Sequence, residues 1–201
     1  EGDDSFTVVP NLSYTVLVPD PVAVPVQILV QGGGPGGSDR VLVDDSALPA
    51  NAPRLYNVSY LSGNNQHDTG EINAQDNSGG PNQGNFLFGL TYEGVEQVQM
   101  VGSGDDTLNV FDDGANNTWS LAAGPTVVLE SGRVQIDDRA PVDFESFRRV
   151  KLENRGGVDR FEVSPDRLPA IVQSGNTSFA VEYVVVGSDT AGLLRDVLAI
   201  E

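Results

Sequence analysis

Pairs of adjacent aspartates are the residues of this sequence whose type and spacing are best suited to chemistry. They are Asp3-Asp4, Asp44-Asp45, Asp105-Asp106, Asp112-Asp113 and Asp137-Asp138. Neighbouring carboxylates repel each other unless a cation or a hydrogen-bond donor lies between them. Because Ca²⁺ takes about 6–8 oxygen ligands from carboxylates, carbonyls and water, the pairs predict calcium binding. The alternative is that they cap turns on a solvated acidic surface.

A short recurring pattern places some of these aspartates at the starts of strands. In each copy, glycine comes first, and Asp is then followed by any residue, an apolar residue, any residue and an apolar residue. The copies are 4–8, 39–43, 106–110, 159–163 and 196–200. Glycine permits a tight turn, the Asp side chain can accept from backbone N–H groups two residues further on, and the alternation buries one face of a strand. If such turns stack, the candidate calcium ligands are Asp4, Asp39, Asp105, Asp106 and Asp159.

The residue types needed for common hydrolytic chemistry are missing or isolated. The sequence has no Cys, and its single histidine, His67, lies in a stretch rich in Asn and Gly. Zinc hydrolysis and cysteine catalysis are therefore excluded, and no G-x-S-x-G sequence presents a nucleophilic serine. Paired carboxylates can cleave glycosidic bonds, but so many pairs occur that none stands out. We expect a protein that is not an enzyme.

The charge balance restricts the partners. Asp and Glu total 29 against 11 Lys and Arg, which gives a net charge of −18. Such a surface repels phosphate backbones and anionic lipid, so we expect no nucleic-acid partner. No apolar run approaches the roughly 20 residues of a membrane span, so we expect no membrane insertion.

The elements that must position the aspartates are short strands. Gly (23) and Pro (12) are spread along the chain between Val-rich alternating segments, which predicts an all-β fold. Unequal spacing of the copies leaves two architectures open, a β-solenoid resembling a parallel β-helix and a β-sandwich. Residues 189–200 also fit a short amphipathic helix. Further strand candidates are 13–18, 22–30, 54–61, 86–92, 117–121, 126–129, 133–136, 170–173 and 178–186.

The same patterns divide the chain. We expect residues 1–140 to form a β-repeat region with a polar loop inserted at 62–85. Residues 141–201 would form a β-rich C-terminal part, either of the same solenoid or as a separate unit.

The segment Leu90 to Val110, with the opening residues 2–8, resembles units of long repetitive secreted bacterial proteins, including those common in marine planctomycetes. The stretch 102–106 is distantly similar to the calcium-binding nonapeptide repeats of secreted toxins, although here each copy stands alone. Residues 174–183 look like the last strands of an immunoglobulin-like sandwich. The resemblance implies an acidic repeat module of a larger extracellular protein, with Ca²⁺ as a cofactor.

Together these features predict a structural module of a secreted or cell-surface protein: a stalk, filament, coat or adhesin. Its partners would be other copies or neighbouring repeats of the parent protein. The alternative is a carbohydrate- or partner-binding extracellular module, in which Trp119, beside Asn116 and Asn117, would be exposed and stack on sugars.

Overall fold

The computed structural model describes residues 3–10, 26–32, 38–47, 52–61, 68–81, 83–125, 131–165, 168–174, 177–187 and 197–200. Within them the regular elements are strands. They are β1 (Ser5–Val8), β2 (Val26–Gln31), β3 (Arg40–Asp44), β4 (Arg54–Tyr60), β5 (Gly70–Asp76), β6 (Phe86–Glu93), β7 (Gln97–Phe111), β8 (Thr118–Ala123), β9 (Ser131–Ile136), β10 (Val142–Glu153), β11 (Arg160–Val163), β12 (Ile171–Ser174), β13 (Thr177–Ala180), β14 (Glu182–Val186) and β15 (Val197–Ile200).

The prediction of an all-β fold is confirmed. Two details of the sequence interpretation were wrong. The segment 62–85, expected as a polar loop, contains β5, which pairs with β4 on one side and β6 on the other. Residues 197–200 of the alternative helix at 189–200 are a strand. The candidate strands at 13–18 and 126–129 lie outside the described residues.

The two longest strands, β7 and β10, connect two branches of one mixed sheet. Their first halves lie parallel to β3 and β1 on one side, and β9, β8, β11 and β15 follow on the other side of β10. Their second halves lie parallel to β4 on one side and β14 on the other, and β5, β6 and β2 follow β4. Within this sheet all pairings are parallel except those made by β5 and β9.

Bends in the middle of β7 and β10 allow each strand to serve both branches. Gly104 has a φ of 98° and Ser146 a φ of 60°, and the register between the strands shifts at this point. The bends touch: a Cβ atom added to Gly102 would lie 2.6 Å from the carbonyl oxygen of Ser146. Glycine is therefore needed at 102 for close approach and at 104 for its backbone angle.

The core forms because the strands alternate. Along β7 every second side chain is buried, as expected for a strand with one face against apolar neighbours. Aromatic residues fill the space between elements: Tyr56 meets Phe147 edge-on with ring centroids 6.0 Å apart, and Trp119 stacks on Phe161 at 5.2 Å.

The C-terminal strands belong to the same pairing network as the rest. β14 is parallel to β10, and β15 is parallel to β11, whereas β12 and β13 form a separate antiparallel hairpin. The region boundary between residues 140 and 141 stays a prediction. β10, which begins at Val142, pairs with β7 from the first of the two predicted regions. In the described part of the chain, no helix has the length and apolar character to span a membrane.

Candidate functional site

Acidic side chains at the starts of parallel strands form a repeated hydrogen-bonding device. Backbone N–H groups donate to the carboxylate of a register partner at Ser38, to Asp3 Oδ1 at 3.1 Å, and at Thr118, to Asp137 Oδ1 at 2.8 Å across an antiparallel pair. Four further bonds of this kind, of 2.8 Å or less, join neighbouring parallel strands. The pairs are Asp4 N–H to Asp39 Oδ1 (2.8 Å), Asp39 N–H to Glu96 Oε2 (2.7 Å), Arg54 N–H to Asp106 Oδ1 (2.7 Å) and Asn117 N–H to Asp159 Oδ1 (2.7 Å). We call these four bonds the carboxylate ladder.

The register explains why the bond recurs. Ser5 is paired with Arg40, Thr118 with Arg160, and the ladder residues stand one position before these pairs. At that position the strand has not yet begun, so the N–H of the neighbouring chain has no backbone carbonyl opposite it. The bond from Arg54 to Asp106 differs, because Arg54 is the first residue of β4 and Asp106 lies inside β7 at its bend. A carboxylate supplies the missing acceptor through a charge-assisted bond, which is stronger than one between neutral groups.

Asp106 combines this role with closure of the bend in β7. Its Oδ2 accepts from the backbone N–H of Ser103 at 2.7 Å and from the Ser103 hydroxyl at 3.0 Å. Both oxygens of this fully buried carboxylate are therefore engaged by donors. The predicted Gly-Asp turn exists at this copy, but the Asp accepts from a residue three positions earlier and not from one two positions later.

A second buried carboxyl group, Asp45, lies beside Asp106 where β3 ends. Its Oδ2 accepts from the Tyr56 hydroxyl at 2.5 Å, and its Oδ1 lies 3.5 Å from a guanidinium nitrogen of Arg54. Burial, and then the neighbouring Asp106, raise the pKa of Asp45 to about 7. Burial also raises the pKa of Asp106 and, with the adjacent Asp45, that of Tyr56.

A similar pair is formed by Asp112 and Asp159 beside β8 and β11. Asp112 Oδ1 accepts from the backbone N–H of Arg155 at 2.8 Å, and the Asn117 amide donates to Oδ2 at 3.3 Å. Burial and then the adjacent Asp112 raise the pKa of Asp159 to about 7, against the backbone N–H of Asn117 and the Trp119 side chain, which lower it.

Within these two carboxyl pairs, Asp45 and Asp159 can each hold a proton near neutral pH, because burial and a neighbouring carboxylate raise the pKa of each to about 7. Two like charges in close contact away from water cannot both ionise easily. All four members are at most 1% exposed. Their chemistry is therefore hydrogen bonding within the fold, since a dissolved substrate does not reach them.

The structure places the five predicted calcium ligands in three locations. Asp4 and Asp39 are register neighbours, Asp106 belongs to the pair with Asp45, and Asp159 belongs to the pair with Asp112. Asp105 forms an ion pair with Arg148 at 2.8 Å. Within the described ranges no group of three or more His, Cys, Asp or Glu side chains could hold a metal ion. Calcium binding stays a prediction.

Trp119 is not exposed, whereas the carbohydrate-binding alternative requires it to be. Its side chain is on the buried face of β8 and stacks on the ring of Phe161. Tyr56, Tyr60 and Tyr92 are buried as well. His67 lies outside the described residues.

Sequence reasoning missed Glu96, and it singled out Asp45 and Asp112 only as members of adjacent pairs, not as buried partners of Asp106 and Asp159. Glu96 could have been found, because Glu96-Gln97-Val98-Gln99-Met100 follows Gly94 with the recurring pattern and has Glu in place of Asp. Asp45 and Asp112 carry no comparable local signal, since their partners come from other parts of the chain.

No family model, curated protein or solved structure matches the chain.

Proposed function

We propose that this chain is a structural module of a secreted or cell-surface protein, such as a stalk, filament, coat or adhesin. The observation that carries the proposal is the carboxylate ladder, in which one bond type joins successive parallel strands at four places. Each bond requires only an acidic residue, which stands immediately before a strand in three bonds and at the bend inside β7 in the fourth. A device with so few requirements can be repeated along a long polypeptide, as in the repetitive bacterial proteins that residues 90–110 resemble.

The finer architecture we favour is solenoid-like propagation of parallel strands. Its support is the pairing of β1, β3, β7 and β10 in parallel order, together with the parallel pairs β8–β11 and β11–β15. An immunoglobulin-like sandwich remains the alternative, and the antiparallel runs through β5 and β9 favour it. Both alternatives give a stiff unit, because most of the described backbone is bonded to a neighbouring strand.

Stiffness is also supported by how β7 and β10 are held. Each passes from one branch to the other, so neither can leave without breaking pairs in both. The second halves of these strands lie between β4 and β14. We therefore expect the module to resist extension as a single unit.

Single-molecule stretching tests this function. The chain is placed between marker domains of known mechanical strength and pulled from both ends. We expect one cooperative unfolding event at a force comparable with that of β-sheet markers. Extension at low force without a distinct event would refute a load-bearing role. The Asp106→Ala variant should unfold at lower force, whereas Asp138→Ala, at an exposed turn, should match the parent.

Calcium stabilisation belongs to the same proposal and has its own test. Thermal unfolding is recorded in a chelator, in millimolar Ca²⁺ and in Mg²⁺. A ligand that binds only the folded state raises Tm by an amount set by its concentration relative to Kd. A rise specific to Ca²⁺ supports calcium as a stiffening ion. Equal Tm in all three solutions removes calcium and leaves the aspartates as acceptors for backbone N–H groups.

A further inference from the structure

The only lysine of the chain, Lys151, lies on β10 beside a side-chain amide. The other basic side chains, apart from one histidine, are arginines. A guanidinium group stays protonated, whereas a lysine amine can lose its proton and attack a carbonyl group. In the register of the two long strands, Lys151 is the partner of Asn109 on β7. We propose that these two side chains form a covalent amide cross-link between β10 and β7, with Glu153 as the group that carries the protons.

The register brings the two reacting groups together. Paired residues of neighbouring strands lie about 4.8 Å apart and point to the same face of the sheet, and the flexible four-carbon stem of lysine spans such a gap. On its other side Lys151 is paired with Val184 of β14. The side chain of Lys151 is 30% exposed. The amine is therefore held beside its strand neighbours and does not extend fully into water.

The amide of Asn109 is oriented but not fully hydrogen-bonded. Its Nδ2 donates to Oδ1 of Asn57 on β4 at 3.0 Å, which holds the amide in place. Its own Oδ1 is buried and accepts no hydrogen bond from any residue that the structure describes. A buried carbonyl oxygen without a donor carries an energetic cost. A donor that reaches this oxygen removes the cost and also polarises the carbonyl group for attack.

Glu153 is placed to move the protons of this reaction. It follows Lys151 by two residues on the same face of β10, and Nζ of Lys151 donates to its Oε2. The register partners of Glu153 are apolar, Phe111 on β7 and Val186 on β14. The proton that must leave the ammonium group before the nitrogen attacks therefore has a carboxylate in direct contact.

The reaction balances with the groups present. Glu153 takes one proton from the ammonium group, and the neutral Nζ attacks Cγ of Asn109 to form a C–N bond. Glu153 passes its proton to Nδ2 and takes another from Nζ, and the bond between Cγ and Nδ2 breaks. Ammonia leaves and removes the last proton from Glu153 as ammonium, so the carboxylate is restored. The fold supplies the proximity that such a reaction otherwise lacks.

The cross-link joins the two strands that both branches of the sheet share. It does not rest on the proposed function, because the bond forms in a folded chain whether or not the chain bears load.

Intact mass under denaturing conditions is the first test. The parent chain should weigh less than its sequence by one ammonia molecule. Lys151→Arg keeps the positive charge beside Glu153 but offers no amine, so it should have its full sequence mass, as should Asn109→Ala. Asn73→Ala removes an amide of the same face two strands away and should lose ammonia as the parent does. Trp119 fluorescence reports whether each variant is folded.

Two results of this test overturn the proposal. One is a folded parent chain of full mass. The other is loss of ammonia from Lys151→Arg, which would place the reaction at another amide. Glu153→Gln tests the proton carrier and should keep its full mass. A Glu153→Gln chain that loses ammonia as completely as the parent would remove Glu153 from the reaction.

Digestion with trypsin locates the bond. Trypsin cleaves after Lys and Arg, so an unmodified chain releases residues 55–133, which include Asn109, and is also cut after Lys151. In the cross-linked chain Lys151 is no longer cleaved, and residues 150–155 should stay attached to 55–133. Release of residues 150–151 from a parent chain that has lost ammonia would overturn the proposal.

The stretching experiment separates this inference from the proposed function. Asn109 and Lys151 are 42 positions apart, and a bond between them shields the intervening segment from force. The parent should therefore extend less than Lys151→Arg by about 140–150 Å, at roughly 3.3–3.6 Å per residue. Unfolding at high force with full extension refutes the cross-link and leaves the load-bearing role. A shortened extension at low force refutes the load-bearing role and leaves the cross-link.

Discussion

Stability should fall as pH rises from about 4 to 7, because two buried carboxyl groups bind protons more tightly in the folded state. The pKa of Asp45 rises from 3.8 to about 7 on folding, and so does that of Asp159. A group whose folded pKa is raised favours the folded state at low pH, and this advantage disappears as pH climbs to the folded pKa. Each shift corresponds to about 4 kcal/mol at most, and water entering a partly opened site would reduce it.

The substitution Asp45→Asn isolates one of these groups. Asparagine resembles the protonated carboxyl group and can still accept from the Tyr56 hydroxyl. At pH 5 the variant should match the parent within about 1 kcal/mol. At pH 8 it should be more stable than the parent by about 2–4 kcal/mol, since the cost of ionising a buried carboxyl group is gone.

Urea unfolding at pH 5 and pH 8 measures this difference. The single tryptophan, Trp119, is buried and changes environment on unfolding. Asp138→Asn is the matched control, with the same charge change at an exposed turn. High salt separates the effect from general repulsion among acidic groups, which is screened, whereas the buried pair is not. A parent chain equally stable at both pH values, or a variant destabilised equally at both, would refute the reasoning.

The remaining predictions concern the bend in β7. Asp106→Ala should destabilise the fold by about 3 kcal/mol or more, because it leaves the N–H groups of Arg54 and Ser103 without their acceptor. Denaturant unfolding measures this loss of stability. A loss below about 1 kcal/mol would contradict the role of the ladder. Gly102→Ala should destabilise by about 1–3 kcal/mol, because its Cβ would lie 2.6 Å from the Ser146 carbonyl oxygen; an unchanged melting temperature would show that the bends do not touch.

Local signals predicted the strands that follow aspartates. β3 and β11 begin directly after Asp39 and Asp159, because alternation and turn chemistry are properties of adjacent residues. β5 was not predicted as a strand because its alternation is short: only Ile72 and Ala74 are apolar and buried, and their neighbours are polar. Its strand state comes from its partners β4 and β6, which no local window contains.

The sequence indicated which residue type would form the site, but it did not indicate the hydrogen-bond partners of those residues. Aspartates before strands were correctly singled out, but their acceptor role depends on which strand lies alongside, and that is a property of the register. Exposure of Trp119 was kept as an alternative because Asn116 and Asn117 indicated a loop. In the fold the Asn117 amide donates to buried Asp112, so a polar residue beside the tryptophan is itself part of the interior.

The ladder also accounts for carboxylates inside a chain that has few cations. With 29 acidic residues against 11 Lys and Arg, ion pairs cannot satisfy every buried carboxyl group. Asp39, Asp106 and Asp159 instead accept from backbone N–H groups, and the raised pKa values of Asp45 and Asp159 allow these two to hold protons. A backbone donor is present whatever side chain the position carries, proline excepted. Strand sequences can therefore change widely while the acidic residue beside them keeps its bond, and the position of that acid, more than the apolar residues after it, is the feature by which further examples of the ladder can be found.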